Sequence, residues 1–167
     1  MRCLCLTLVF AAAVMTTVPD ANQAASKPPG PISEQDYDAI MKKVGPTFTA
    51  MSKNLDDGDV DKAVKDAQQL SLLLAETEKF WAQHKREDAV KFAQAARKEA
   101  DAVVTGVGGA RGYLKSDARI QSGLQVRLSR ARASVGTLRS VCQRCHTAYR
   151  AGDVTSGFHI KPGTLVP

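Results

Sequence analysis

The chain lacks a hydrophobic run long enough to cross a bilayer. Its longest apolar stretch, Cys3 to Val18, is shorter than the ~20 residues that a spanning helix needs. A short basic start, Met1-Arg2, precedes it, and small residues lie within it and after it. This pattern is typical of a secretory signal peptide, so we expect residues 1–25 to be removed on export. The cleavage point is open between Ala13 and Ala24-Ala25, and an uncleaved membrane anchor is the alternative.

Cysteine is equally scarce. The chain has four cysteines, and removal of residues 1–25 takes Cys3 and Cys5 with it. The mature chain then keeps Cys142 and Cys145 alone, three residues apart. No structural disulfide is therefore expected, although an exported protein meets an oxidising compartment.

Aromatic residues make up 5% of the chain, and acidic residues are nearly missing from one part of it. Residues 111–150 carry nine Lys and Arg but one acid, Asp117, within a chain of formal net charge +6. A basic stretch with few interleaved aromatics in an exported protein does not favour nucleic-acid binding. It can steer an acidic partner protein, and a solvated helix face is the alternative interpretation.

The two remaining cysteines belong to the run Cys142-Gln143-Arg144-Cys145-His146. This run has the form C-x-x-C-H, which is the attachment motif of a c-type haem. Two thiols add across the two vinyl groups, and the imidazole must reach the iron from the same side. On a helix this spacing puts all three side chains on one face. We predict one covalent haem c held by Cys142 and Cys145, with His146 as an axial iron ligand.

Two other uses of C-x-x-C fit less well. A redox dithiol wants a preceding strand in a βαβ context, and the residues before Cys142 look helical. A structural zinc site needs two further ligands. The other mature histidines are His84 and His159, and neither has a paired partner nearby in the sequence. His159 is a conceivable ligand in its own right.

Helical periodicity dominates the mature chain, and no strand-like alternation is evident. We expect helices from Ser33 to near Asn54, Val60 to His84, Glu87 to about Val104, and Ser122 to Gly152. A glycine-rich connection precedes the last of these. The prediction is an all-α protein, an antiparallel four-helix bundle over residues 33–151, with a leader at 26–32 and an irregular, partly mobile tail at 152–167.

The last helix has an unbroken heptad stripe, which is the pattern of a helix packed in a left-handed bundle. Both cysteines of the motif lie on this stripe, so the haem is expected inside the bundle near the C-terminal end of this helix. The stripe consists of Leu124, Leu128, Ala131, Val135, Leu138, Cys142, Cys145 and Tyr149.

A signal peptide, four helices and C-x-x-C-H on the last helix together resemble the class II bacterial c-type cytochromes, the cytochrome c-prime family. The resemblance covers about Ser33 to Arg150 and implies a periplasmic protein. It implies that His146 is the proximal ligand and that Arg150, with Tyr149, lies beside the proximal side of the haem. One departure is Asp38, where the family often has an arginine close to a haem propionate, so propionate contacts must come from elsewhere.

The resemblance also bears on the second axial position. In low-spin members a methionine of the first helix ligates the iron, and the matching residue here is Met41. Met41 also lies on the apolar stripe of that helix, where a buried methionine is often core filler. Met51, ten residues along the same stripe, is the fallback. The implied function is a low-spin, monohaem carrier of single electrons with His146 and Met41 as iron ligands.

Three other functions are alternatives to electron transfer. A five-coordinate binder of nitric oxide or carbon monoxide is the alternative if Met41 only lines the pocket. An enzyme of peroxidase type is not expected, because the first helix has no histidine and His84 is at the far end of the second helix. Haem storage is disfavoured by covalent attachment.

Redox partner proteins, acidic ones in particular, are the expected partners, and a homodimer formed through Leu72 or Phe80 is a further expectation.

Overall fold

The computed structural model describes residues 30–109 and 118–165. The chain divides into two units, Met1–Gly30 and Pro31–Pro167, and all elements below belong to the second. The predicted signal peptide at 1–25 and most of the leader at 26–32 lie outside the described residues.

The described residues are mostly helical, as the periodicity predicted, with four helices and one small sheet. The helices are α1 (Glu34–Asp56), α2 (Val60–Gln83), α3 (Glu87–Gly108) and α4 (Ala118–Tyr149). Two strands follow, β1 (Arg150–Asp153) and β2 (Gly157–Ile160), which pair antiparallel. None of the helices in the described part of the chain is long and apolar enough to span a membrane.

Two helix starts follow from side chains that cap free backbone N–H groups. Ser33 and Asp36 form a reciprocal capping box at the start of α1, next to the predicted helix start. Asp59 caps α2 by accepting a hydrogen bond from the backbone N–H of Lys62, 3.2 Å away. These caps fix where α1 and α2 begin, and three residues separate the two helices.

The glycine-rich connection is shorter than predicted. The helix expected to end at Val104 continues to Gly108. Val103 and Val107 are both fully buried, and their burial stabilises the additional turn. The last helix begins at Ala118, so Ser122 lies inside it and the predicted start at Ser122 is wrong. Tertiary burial outweighs the cost of helical glycine, which is about 1 kcal/mol per residue.

The helices pack around a core in which α2 contacts α1 and α3, and α3 contacts α4. Four buried alanines on α3 let its neighbours approach closely, namely Ala89, Ala93, Ala96 and Ala100. Phe80 and Trp81 of α2 are fully buried in a second hydrophobic cluster, together with Ala89 and Tyr149. Phe80 is therefore unavailable for the expected dimer contact, whereas Leu72 is 65% exposed.

A β-hairpin replaces the irregular tail predicted for residues 152–167. Arg150 pairs with Ile160 and Asp153 with Gly157. The turn is fixed by the Asp153 carboxylate, which accepts backbone N–H bonds from Thr155 and Ser156 at 2.8 Å. The strands are four residues each and rich in Gly and polar residues, which is why alternation gave no signal.

The end of the hairpin is tied back to α4. The Lys161 backbone N–H bonds the Tyr149 carbonyl at 2.9 Å, and its ammonium bonds the Thr147 carbonyl at 2.7 Å. These bonds satisfy carbonyls at the helix C-terminus that have no partner within the helix. The hairpin is thus a fixed continuation of the helix that carries the C-x-x-C-H motif.

Candidate functional site

A cavity of about 830 Å³ lies between α1 and α4, with side chains of α2, α3 and the hairpin completing its wall. Met41, Cys142, Cys145 and His146 all line it. Residues about 100 positions apart in the sequence thus line the same cavity. Its size is within the range of cofactor pockets, roughly 300–1,000 Å³.

The two thiols of the motif are half-buried in this wall. Burial raises the pKa of the Cys142 thiol, and it raises the pKa of the Cys145 thiol to about 12. Both are therefore protonated at neutral pH in the free protein. A redox dithiol needs the reverse, a thiol with a depressed pKa, so this environment does not favour that chemistry.

His146 lies between the two cysteines and the hairpin and is half-buried. Burial lowers the pKa of its imidazole, and the positive charge of Arg150 lowers it further. The imidazole is therefore neutral at pH 7, which is the form that binds a metal.

Met41 enters the cavity wall from α1. It is flanked there by Tyr37, Val44 and Phe48, all half-buried and all lining the same space. Met51 is fully buried in the main core and is not among the cavity-lining residues, so the fallback ligand is disfavoured. The thioether of Met41 is the methionine sulfur that α1 offers to this cavity.

Tyr149 and Arg150 also line the cavity, but each has protein contacts of its own. The Tyr149 ring packs on Trp81 with centroids 4.9 Å apart. Its hydroxyl donates to the Asp88 carboxylate and accepts from the Arg86 guanidinium at 3.1 Å. Arg150 is the first residue of β1, and its guanidinium lies 4.0 Å from the centroid of the Phe158 ring.

The Tyr149 contacts belong to a small network that joins three parts of the chain. The hydrogen bond from Tyr149 is the main reason that the pKa of Asp88 is lowered, and burial raises the pKa of Tyr149 itself. Arg86 also donates to the Thr164 carbonyl at 3.1 Å. The α2–α3 turn, the end of α4 and the C-terminal segment are thereby held together.

Sequence reasoning missed several residues of the cavity wall. Asp38 is neutralised by Lys42, whose ammonium is 2.6 Å from its carboxylate, and the i,i+4 spacing was the available signal. Arg139 lines the wall one turn before Cys142. His159 lines it from β2, whereas His84 packs on Phe80 at 4.8 Å and is not part of the wall. Lys42, Arg139 and Arg150 are the lysine and arginine residues in the wall of this cavity.

Comparison with known proteins finds no matching family model, curated protein or solved structure. Chemically, the wall offers two protonated thiols, a neutral imidazole and a thioether among mostly apolar side chains. Within residues 30–109 and 118–165, no group of three or more His, Cys, Asp or Glu is placed to hold a metal ion. This donor set fits a flat apolar cofactor that brings its own metal.

Proposed function

We propose that the protein is an exported monohaem c-type cytochrome of the cytochrome c-prime type, acting as a periplasmic carrier of single electrons. The observation that carries the proposal is the shared cavity. It unites the C-x-x-C-H motif of α4 with Met41 of α1, which no sequence spacing requires. Cys142 and Cys145 would hold haem c, and His146 and Met41 would be its iron ligands.

In this proposal the four helices form an antiparallel bundle around the cofactor. Two connections support that arrangement, since three residues separate α1 from α2 and three separate α2 from α3. Helices that pack side by side across such short connections run antiparallel. The haem would then lie between α1 and α4, near the C-terminal end of α4.

When bound, a haem with His and Met ligands supplies a one-electron couple at raised potential and leaves no iron position free for a substrate. The chain's own residues would set the surroundings of that couple. The half-buried side chains of Tyr37, Val44 and Phe48 would lie against the haem and reduce its contact with water. No residue is assigned an acid–base role, so the proposal is a carrier and not an enzyme.

The test is an absorption spectrum of the reduced protein with and without carbon monoxide, after expression in a host that attaches haem c. We expect a red protein whose spectrum ignores carbon monoxide. Met41→Ala should change the spectrum and open the iron to carbon monoxide, while Met51→Ala, the matched control, should leave the spectrum unchanged.

Two outcomes would contradict the assignment at different levels. If the wild type binds carbon monoxide and Met41→Ala leaves its spectrum unaltered, Met41 only lines the pocket. The five-coordinate binder of nitric oxide or carbon monoxide is then the correct function. A folded, colourless product with two free thiols would rule out a c-type cytochrome of either kind.

A further inference from the structure

Each of the three phenylalanines that line the cavity lies beneath an arginine. The guanidinium carbon of Arg139 is 5.5 Å from the Phe48 ring centroid, and that of Arg150 is 4.0 Å from the Phe158 centroid. Arg144 lies over Phe92 at 5.9 Å. The rings belong to α1, β2 and α3, and the arginines to the end of α4 and the residue that follows it. We call Arg139, Arg144 and Arg150 the arginine rim.

The arginine rim is exposed, and the described residues give it no carboxylate partner. All three residues are exposed, and no ion pair to any of them occurs within the described part of the chain. Other arginines behave differently, since Arg97 pairs with Glu78 and Arg132 with Asp56. The rim arginines therefore keep their full charge and their N–H donors available to another molecule.

The acids of the cavity wall do not cancel this charge. Asp38 is already paired with Lys42, which leaves Glu34 as the other acid that lines the cavity. Arg139 and Arg150 line the cavity themselves, and Arg144 lies over the lining ring of Phe92, so positive charge borders the cavity on the side of α4. In the proposed function this cavity holds the haem.

We propose that the arginine rim is the docking surface for an acidic protein that exchanges electrons with the haem; this rests on the proposed function. Stacking over a phenylalanine holds each guanidinium in place, which reduces the entropy lost on binding. Arginine is also the cation best suited to desolvated contact with carboxylates. Opposite charge across such a surface raises the association rate more than the affinity.

The experiment compares two variants of the haem-loaded protein that lose the same charge. Arg139→Gln with Arg144→Gln removes two rim charges and keeps Arg150, whose charge acts on His146. Lys65→Gln with Lys98→Gln removes two exposed charges from α2 and α3. The reduced proteins are mixed with the anionic oxidant hexacyanoferrate(III) and with cationic tris(phenanthroline)cobalt(III). Salt is about 10 mM or about 1 M, where the Debye length is roughly 30 Å or 3 Å.

At low salt, the rim variant should react with hexacyanoferrate(III) about three- to tenfold more slowly than the wild type. It should react no more slowly with the cationic oxidant, and the difference should vanish at high salt. The lysine variant should resemble the wild type. Poly-L-glutamate, used as an acidic polypeptide in calorimetry, should bind the wild type and the lysine variant more tightly than the rim variant.

Four results would overturn this inference. The two variants could respond alike to the anionic oxidant and to poly-L-glutamate. Phosphatidylglycerol vesicles could bind the rim more tightly than poly-L-glutamate, which would make a membrane its ligand. The rim variant could have an altered haem spectrum, which would make the arginines part of the haem site. A folded but colourless protein would overturn the proposed function and the electron-exchange role together, and poly-L-glutamate binding would then report on the surface alone.

Discussion

At the residue scale, Tyr149 shows how one side chain serves both the cavity and the fold. Its position on the inner stripe of the last helix was predictable from the heptad. Its hydroxyl contacts were not, because Asp88 and Arg86 belong to the start of α3, some sixty residues earlier. The ring lines the cavity, and the hydroxyl fixes the last turn of α4, three residues after His146.

Tyr149→Phe should lower the free energy of unfolding by about 1 kcal/mol. The loss is modest because the Asp88 carboxylate is 61% exposed and water can replace the hydroxyl. The measurement is urea unfolding of Tyr149→Phe, Asp88→Ala and the double variant. The two single effects should fail to add by roughly 0.5–1 kcal/mol, and full additivity would show that the bond contributes nothing.

At the scale of elements, the hairpin depends on two glycines that differ in their surroundings. Gly152 and Gly157 both have positive φ, 82° and 81°, which L side chains rarely adopt. A Cβ at Gly152 would meet the Gly157 carbonyl oxygen at 2.0 Å, whereas a Cβ at Gly157 would meet nothing within 4 Å. A side chain at Gly157 would therefore meet backbone strain alone, whereas a side chain at Gly152 would meet backbone strain and a steric clash.

Gly157→Ala should destabilise the hairpin by about 1–2 kcal/mol, the cost of a left-handed conformation for a side chain. Gly152→Ala should cost at least about 1 kcal/mol more, because a strand must also move. Amide hydrogen exchange over residues 150–160 measures both, since opening of the hairpin exposes those amides. Equal exchange rates in the two variants would contradict the close approach at Gly152.

At the scale of the whole molecule, titrating groups limit stability at both ends of the pH range. Hydrogen bonding lowers the pKa of Asp88 below its ordinary 3.8, so its contribution is present above that pH and is lost as pH falls. Burial beside the cavity raises the pKa of Tyr37 above its ordinary 10.0. That contribution is present below pH 10 and is lost as pH rises, because the unfolded phenol ionises first.

In the haem-loaded protein of the proposed function, where Cys142, Cys145 and His146 do not titrate, the urea midpoint should therefore be flat between about pH 5 and about pH 9 and should fall on either side. Tyr37→Phe should weaken the alkaline fall and leave the acid fall unchanged, so the acid limb acts as an internal control. The haem spectrum recorded alongside separates a change of iron ligand from unfolding. An alkaline limb of the same slope in both proteins would show that Tyr37 does not cause it.

Structural features could be predicted from the sequence where the residues that cause them are close in the chain. The starts of α1, α2 and α3 lie within one residue of the predicted positions, because the residues that begin a helix act within one turn of it. The C-terminal end of α3, the bounds of α4 and the hairpin could not be predicted from the sequence. Burial of Val107, and the anchoring of residues after Tyr149, depend on partners that are distant in sequence.

The sequence by itself determined the helical class, the face that each helix buries and the spacing of Cys142, Cys145 and His146, since all of these are periodicities of a single helix. Only the tertiary structure decided which methionine shares their cavity, which arginines lie over its phenylalanines and that a hairpin completes its wall. Those outcomes depend on how separate elements pack, and packing is decided by the fit of whole surfaces, which spacing along the chain does not encode.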